Sequence, residues 1–367
     1  MQFITSPKTI LGLDISDLSV KAVQIEKRGE RKYIRAINSA ELPAGLIEDD
    51  AIKDREALGE IIKQLLKNSP QKFSTRYAVM SLPETKTFIK VIEAAVDDST
   101  AEEAILEELP RHVPIASETM QIDWQEIGAN KQHKKFLVGA VPKTVSDEYV
   151  KVAEMSGLVP VALEIEAQAI ARCLLPAKNK ENNVNWWKRK KEEQQKENKT
   201  TDKTPQIIMD LGATRTSVIF MDHGMIQFTN SLPNISGQKI TAKISEQLKL
   251  STTEAEKAKI ICGTNPKKCK GATMKIISET ISDLANEIVN ADNFYQTHFN
   301  QETNNLSILL GGGGANMVNL DKTLHEKLGR PVDYGDPLIN LEIKKSRRED
   351  LLSFTTAIGL ALRNFVD

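Results

Sequence analysis

Cysteine, net charge and long apolar runs are all scarce in this sequence. Three cysteines are too few and oddly numbered for a disulfide framework, so we expect a reducing cytoplasm, with Cys262 and Cys269 as structural thiols. The 49 basic residues nearly balance the 50 acidic ones, which argues against a nucleic-acid binder that depends on bulk electrostatics. No apolar run approaches the roughly 18 residues of a membrane span. The chain is therefore expected to be soluble, or peripheral to something membrane-bound.

A hairpin pattern in the second half of the chain is the most informative feature. Two alternating apolar runs within residues 207–228 are joined by a short polar turn, and the first run ends in an aspartate. Glycine in such a turn lets backbone amides approach an oxyanion, and threonine adds hydroxyls. An ordinary hairpin turn explains the same residues. The residues of the candidate phosphate turn are Asp210, Gly212, Ala213, Thr214 and Thr216.

The start of the chain carries a second copy of this pattern. Residues 10–25 again read as an apolar strand that ends in aspartate, a small polar turn and an alternating strand. Its candidate site residues are Asp14, Ser16, Ser19 and Lys21. Near the other end, the apolar run 306–310 leads into a glycine turn, where a flat ring could lie against the backbone and phosphate oxygens could meet amides. The turn consists of Gly311, Gly312, Gly313, Gly314 and Ala315.

Together these motifs resemble the actin-like ATPase superfamily, which includes actin, sugar kinases and FtsA, and most closely the PilM family of type IV pilus assembly proteins. The hairpins resemble its two phosphate motifs, and the glycine turn resembles its adenosine motif. Residues 163–171 and 356–363 resemble its two connecting helices. The resemblance implies an α/β, actin-like (RNase H-like) fold of duplicated half-domains with a small α+β insert subdomain.

The order of the motifs divides the chain into four parts. Residues 1–86 are expected to form the first half-domain, with a βββαβ pattern, and 87–161 the α+β insert. Residues 162–205 are expected to hold a connecting helix and, at 178–204, a disordered basic loop rich in lysine, asparagine and glutamate. Residues 206–367 are expected to form the second half-domain. In the loop, Trp186 and Trp187 beside basic residues raise the hypothesis of contact with lipid or a partner, against a plain solvated loop.

The resemblance also implies roles for residues around a nucleotide. Asp14 and Asp210 would hold Mg²⁺ through waters, and Glu166 would orient the water that attacks ATP, with Glu164 as its competitor on another helical face. Lys21 would approach the phosphates or point to solvent. On the adenosine side, Gly237 begins a helix after the second hairpin, and Glu256 and Lys259 lie one turn apart on the next helix, where an exposed charged face is the alternative.

The function that the resemblance implies is a cytoplasmic ATP-binding scaffold at the inner membrane, with slow or no ATP hydrolysis. Its partner would be the cytoplasmic N-terminal peptide of a PilN-type bitopic membrane protein, held in a groove to which residues 81–144 contribute. Other proteins of the pilus assembly platform are further expected partners, and self-association is possible. The alternatives are an FtsA-like division protein, disfavoured because no amphipathic tail follows the last helix, and a small-molecule kinase, disfavoured because no second aspartate motif is present to act as a base.

Overall fold

The structure is a computed structural model that describes residues 9–95, 100–112, 119–129, 133–177, 205–299, 301–342 and 351–366. The strands of this part are, in chain order, β1 (Leu11–Ile15), β2 (Ser19–Arg28), β3 (Arg31–Glu41), β4 (Ile47–Glu48), β5 (Ala51–Ile52), β6 (Tyr77–Leu82), β7 (Phe88–Ala94), β8 (Met120–Ala129), β9 (Lys134–Pro142), β10 (Val159–Ile165), β11 (Gln206–Leu211), β12 (Thr216–Asp222), β13 (Met225–Leu232), β14 (Ser307–Gly311) and β15 (Val332–Tyr334).

The α-helices of the same residues follow the apolar periodicity of the sequence. Several begin where a serine, threonine or aspartate side chain caps free backbone amides, as Asp54 does for the first helix and Ser251 for the sixth. They are α1 (Arg55–Lys67), α2 (Ala101–Glu108), α3 (Lys143–Met155), α4 (Glu166–Leu174), α5 (Gly237–Leu248), α6 (Thr252–Cys262), α7 (Ala272–Phe299), α8 (Leu320–Leu328), α9 (Thr355–Ala361) and α10 (Arg363–Val366).

The two large sheets repeat one strand order. The first is β10-β6-β1-β2-β3, and the second contains β15-β14-β11-β12-β13. In each, three antiparallel strands form a meander, and the first strand of the meander pairs in parallel with a later strand of the chain. The βββαβ pattern expected from the sequence is therefore confirmed in the first half. β1, which carries Asp14, and β11, which carries Asp210, each have a neighbouring strand on both sides.

Helices α4 and α9 lie between the two sheets and pack closely against each other. A Cβ atom on Gly359 would lie 1.8 Å from the carbonyl oxygen of Ala169, and one on Gly12 would lie 2.2 Å from that of Ala357. The same region forms an apolar core that takes residues from both halves of the chain, among them Ile170 and Ile358. The absence of a side chain at these glycines lets the helices meet each other and β1 at backbone distance.

The insert extends the second sheet and also packs on the first half. Its strands continue the sheet as β13-β7-β9-β8, with the β13 to β7 contact made by the single pair Phe228 and Lys90. Helix α3, by contrast, buries Tyr149 and Val152 in the core of the first half. The boundary expected after residue 161 falls inside β10, and the division into four parts stays a prediction.

Three expectations from the sequence need comment. The first connecting helix begins at Glu166, because residues 159–165 are β-branched and apolar enough to form β10 alongside β6. Cys262 and Cys269, expected as thiols, are joined in a disulfide, since the turn between them brings their Cα atoms to 5.8 Å. Trp186, Trp187 and the rest of the loop 178–204 lie outside the described residues.

Candidate functional site

A cavity of about 240 Å³ opens where the two hairpins face each other. The ends of β1 and β11 supply its acidic floor, the starts of α4 and α9 close its inner side, and the glycine turn after β14 forms one edge. Of the residues expected from the sequence, this cavity brings together Asp14, Ser16, Ser19, Lys21, Glu166, Asp210, Gly212, Ala213, Thr214, Gly312 and Gly313.

Asp14 is held from two sides. The hydroxyl of Ser81 donates to its Oδ1 at 3.1 Å, and the ammonium of Lys21, its register partner on β2, lies 3.6 Å from its Oδ2. Lys21 therefore points into the cavity and not to bulk solvent, which removes the ambiguity left by the sequence. A carboxylate that is paired on one side still has lone pairs for a hydrated cation.

Asp210 lies opposite Asp14 with less support. Its Oδ1 is buried and has no hydrogen-bond partner among the described residues. Burial, followed by the charge of Asp14, raises the pKa of Asp210 to about 7, although Lys21 acts in the other direction. A buried carboxylate oxygen without a donor fits a cation or a cation-bound water, so the residues present suit Mg²⁺. Within the described residues, no group of three or more acidic, histidine or cysteine side chains is arranged to hold a metal ion.

Glu166 is the first residue of α4 and reaches the same cavity. The hydroxyl of Thr356, on α9, donates to its Oε1 at 3.3 Å. Burial raises the pKa of Glu166 well above its usual range, and the charges of Asp14, Glu84 and Asp210 act in the same direction. Glu166 is thus positioned by the second connecting helix and stays protonated more readily than an exposed glutamate.

Glu164, the competing candidate, does not reach this cavity. It lies on β10, and its buried carboxylate is paired with Arg172 at 2.7 Å and with Arg363. Residues two apart on a strand point to the same face only while the strand continues, and the chain turns into α4 between Glu164 and Glu166. The two glutamates therefore serve different sites.

The turns of the two hairpins are built differently. In the first, the amide and the hydroxyl of Ser16 both donate to the carbonyl of Ser19, each at 3.0 Å. In the second, the carbonyl of Gly212 accepts the amide of Gly237 at 2.9 Å, so α5 begins directly behind the turn. Gly237 therefore supports the turn from behind and is not among the residues lining the cavity. The hydroxyl of Thr216 donates to the carbonyl of Ile235 at 2.8 Å and is likewise directed away from the cavity.

Lys259 is buried next to this support and pairs with Glu256, whose side chain is 46% exposed. The Lys259 ammonium donates to the carbonyl of Gly237 at 3.0 Å, to the hydroxyl of Thr241 at 2.9 Å and to Glu256 at 2.7 Å. Neither residue is part of the cavity wall, and of the two only Glu256 lies on an exposed part of the helix. The pair fixes α6 to the start of α5, and so to the second hairpin.

The glycine turn after β14 contributes two of its five residues to the cavity. Gly312 has a φ of +78°, and a Cβ there would lie 2.5 Å from the carbonyl oxygen of Leu211. The backbone conformation and the close approach both require glycine at this position. Gly311, Gly314 and Ala315 pack behind the turn, where a Cβ on Gly311 would meet Asp210 Oδ1 at 3.0 Å.

Several polar residues of the site were not identified from the sequence. Arg215 reaches from the second hairpin to the first half, where it donates to Asp50 at 2.6 Å and to Asp17 at 3.1 Å. Glu84 is buried beside Ser217, which donates to it. Burial raises the pKa of Glu84 to about 7, against hydrogen bonds from Ser217 and Thr229 and the charge of Arg215. The turn position of Arg215, next to Thr214, was an available signal, whereas nothing local marks Glu84.

A second and larger cavity, of about 1150 Å³, lies between the insert, β10, α4 and β13. We call it the groove. β8 and β10 are the outer strands of their sheets, and both contribute to the groove. Its lining includes residues 82, 121, 123–127, 137 and 139–141, within the range 81–144 expected from the sequence, together with Val161, Arg172 and Arg363 beyond that range.

The duplicated meander sheets, the two connecting helices and the cleft between paired aspartates define the class of this protein as the actin-like fold. The structure superposes with EutJ from Carboxydothermus hydrogenoformans at a TM-score of 0.54 and 15% identity, over 97% of this chain and 90% of that one. It superposes with MreB5 of Spiroplasma citri bound to AMPPNP at a TM-score of 0.53 and 12% identity, over 96% and 95% of the two chains.

Within this class, the chain belongs to the family of type IV pilus assembly protein PilM, whose pattern it matches over residues 12–365. It also superposes with a chain of the PilM-PilN type IV pilus biogenesis complex at a TM-score of 0.76 and 22% identity, covering 97% of this chain and 98% of that one. None of the helices described here has the length and apolar composition to cross a bilayer.

Proposed function

We propose that this chain is an ATP-binding scaffold of the type IV pilus assembly platform, working in the cytoplasm at the inner membrane. The observation that carries nucleotide binding is the placement of Asp14 and Asp210 on opposite hairpins of one cavity, with the buried Asp210 Oδ1 left without a donor. The glycine backbone at Gly312 and Gly313 forms an edge of the same cavity, where amides can approach phosphate oxygens. The adenosine end would lie beyond that edge.

The charges of the cavity require a cation alongside ATP. Four carboxyl groups line it, from Asp14, Asp50, Glu166 and Asp210, against two cationic side chains. Bound Mg²⁺ would supply the positive charge that neutralises the phosphates and fixes their geometry. Asp14 and Asp210 would order its water shell. The Lys21 ammonium would offer the phosphates a point charge.

Glu166 is the residue we assign to the attacking water, positioned through the hydroxyl of Thr356. Its raised pKa limits this role, because a higher pKa increases the fraction of the carboxyl group that is protonated, and the protonated form cannot accept a proton from water. Slow hydrolysis, or none, is the behaviour that this environment supports. ATP would then act mainly by holding the two half-domains together.

The groove is the site we assign to a partner peptide. Among the described residues, β8 and β10 each have a neighbouring strand on one side only, and an extended peptide can pair with the main-chain groups of the other edge. Apolar side chains such as Val161 and Ile226 line it. Because a PilM-PilN complex is among the similar structures, the partner we propose is the cytoplasmic N-terminal segment of a PilN-type membrane protein. Contacts with other platform proteins and self-association remain predictions.

The test compares two substitutions on one strand. Val161 and Val159 lie two residues apart on β10 and are 39% and 43% exposed, but only Val161 lines the groove. A fluorescent synthetic peptide of the partner's cytoplasmic segment should bind the natural chain and the Val159→Asp variant alike. Val161→Asp should weaken binding about tenfold or more, since an unpaired charge would be buried under the peptide. Equal binding by all three proteins, or no binding at all, would exclude the groove as the docking site.

A further inference from the structure

A short stretch of chain connects the two cavities. Residues 81–87, which we call the linking turn, run from the end of β6 to the start of β7. At its beginning, Ser81 donates to Asp14 in the nucleotide cavity. The next residue, Leu82, lines both cavities. The linking turn is therefore in contact with the cleft on one side and leads into the groove on the other.

Glu84 holds the linking turn against the second half-domain. It is 6% exposed and accepts a hydrogen bond from the hydroxyl of Ser217 on β12. Ser217 is the register partner of Asp210 across the second hairpin. Ser217 therefore links Glu84 to the strand position opposite Asp210, the carboxylate assigned to the metal. A buried carboxyl group is costly unless its hydrogen bonds are made, so the position of Glu84 depends on this contact.

The next residue of the linking turn makes a second contact toward the same hairpin. The hydroxyl of Thr85 donates to Asp50, whose carboxylate also accepts from Arg215. Arg215 belongs to the turn that lines the nucleotide cavity. Two independent contacts, through Ser217 and through Arg215, therefore join the second phosphate hairpin to adjacent residues of one turn.

Beyond the linking turn, β7 carries this position into the insert. All seven residues of β7 pair with β9, and β9 pairs in turn with β8. Residues of β8 and β9 line the groove. A shift of the linking turn moves β7, which follows it directly in the chain. Because β7 is paired with β9 along its full length, β9 must move with it.

We propose that Glu84 couples the two sites, so that nucleotide in the cleft and peptide in the groove stabilise the same position of the linking turn. The inference rests on the proposed function, since it assumes that the cleft takes a nucleotide and the groove takes a peptide. By reciprocity, each ligand tightens the other by the same factor. Glu84 acts here as a positioning residue that contacts neither ligand.

The experiment measures peptide affinity with and without saturating Mg·AMPPNP, using the synthetic peptide described above. The ratio of the two dissociation constants is the coupling factor, and we expect at least about fivefold for the natural chain. Glu84→Met keeps the volume but removes the acceptor for Ser217, and should bring the ratio close to one. Glu84→Gln retains an acceptor and should keep most of the ratio. Glu93→Met, on the exposed side of β7, is the matched control and should behave as the natural chain.

The outcomes separate the inference from the function beneath it. Loss of the ratio in Glu84→Met alone, with each ligand on its own bound within about threefold of the natural affinity, supports the coupling role. A natural chain that binds both ligands without mutual effect overturns the inference and leaves docking and nucleotide binding intact. Unchanged coupling in Glu84→Met has the same consequence. A natural chain that binds neither ligand overturns the proposed function as well.

Discussion

Arg215 and Asp50 form an ion pair across the cleft. Nη1 of the arginine lies 2.6 Å from Oδ2 of the aspartate, and the two residues are 165 positions apart in the chain. Asp17 accepts from the same guanidinium, so one side chain of the second half-domain is bound to two turns of the first. The side chain of Arg215 is 15% exposed and that of Asp50 is 5% exposed, so this ion pair lies in a poorly solvated environment.

Removal of this arginine should destabilise the folded chain. Arg215→Ala leaves Asp50 buried without its partner, and breaking a buried pair in this way costs about 3–5 kcal/mol. Urea denaturation at neutral pH measures the free energy of unfolding. Arg35→Ala is the control, because Arg35 pairs with Glu26 where the two side chains are 38% and 22% exposed, and the loss should be about 1 kcal/mol or less. Equal losses in the two variants would contradict a special role of the cross-cleft pair.

The junction of the connecting helices gives a prediction about packing. Gly359→Ala would place a methyl group 1.8 Å from the carbonyl oxygen of Ala169, so the helices must separate. Overpacking at a rigid contact costs about 1–3 kcal/mol or more, and the expected signs are a lower melting temperature and weaker nucleotide binding. Gly128→Ala is the control, since a Cβ there meets no atom within 4 Å and should change neither quantity. A stable Gly359→Ala protein would mean that the helices are not packed at this distance.

Glu166 should matter for hydrolysis and not for binding. In Glu166→Gln the side chain keeps its size and an acceptor for the hydroxyl of Thr356, so the affinity for Mg·ATP is expected to change by less than about threefold. Any phosphate release by the natural chain should fall to background, because the amide cannot accept a proton. Glu246→Gln, at an exposed position of α5, controls for the substitution. Undiminished phosphate release in Glu166→Gln would remove Glu166 from the water-positioning role.

The stability of the ligand-free protein should depend on pH through three buried carboxyl groups, Glu84, Asp210 and Glu166, whose pKa values are all raised. The pKa values of Glu84 and Asp210 are each raised to about 7 in the folded chain. Between about pH 4.5 and 7 the folded state therefore binds more protons than the unfolded state, so the free energy of unfolding falls as pH rises through this range. The fall is at most about 1.4 kcal/mol per pH unit for each group.

Denaturation in EDTA at several pH values between 5 and 8 measures this dependence. Asp210→Asn should make the profile less steep, because the amide does not titrate while Glu84 and Glu166 still do. Asp283→Asn, on an exposed part of α7, should leave the profile unchanged. A natural chain whose stability rises steadily from pH 5 to 8 would contradict the raised pKa values.

The parts of the fold that the sequence predicted are those with local signals. Each meander is encoded by alternating apolar residues and a short turn, which is why Asp14 and Asp210 could be placed at strand ends before their distance was known. The glycine turn at residues 311–314 was equally visible, because only glycine tolerates such backbone approach. The insert's helices and strands followed from their capping residues and periodicity.

The parts that the sequence did not predict depend on contacts between distant residues. Arg215 meets Asp50 only because the two half-domains close on each other. Glu84 looks like an ordinary turn residue until β12 packs over it. The connecting helix was placed three residues too early, since the apolar spacing of residues 159–165 suits a strand and a helix alike, and the neighbouring strand β6 decides between them. Glu256 and Lys259 were placed one turn apart on a helix, but their ion pair and the burial of Lys259 against Gly237 were not foreseeable.

Calorimetric titration with Mg·ATP tests the central claim most directly. The natural chain should bind one nucleotide, and chelation of Mg²⁺ with EDTA should abolish the heat of binding. Asp210→Ala should weaken binding at least about tenfold, since the phosphates would lose one carboxylate that orders the water shell of the cation. Asp283→Ala should bind as the natural chain does. Equal affinities of the natural chain and Asp210→Ala, or no binding by either, would contradict the assignment of this cleft to a nucleotide.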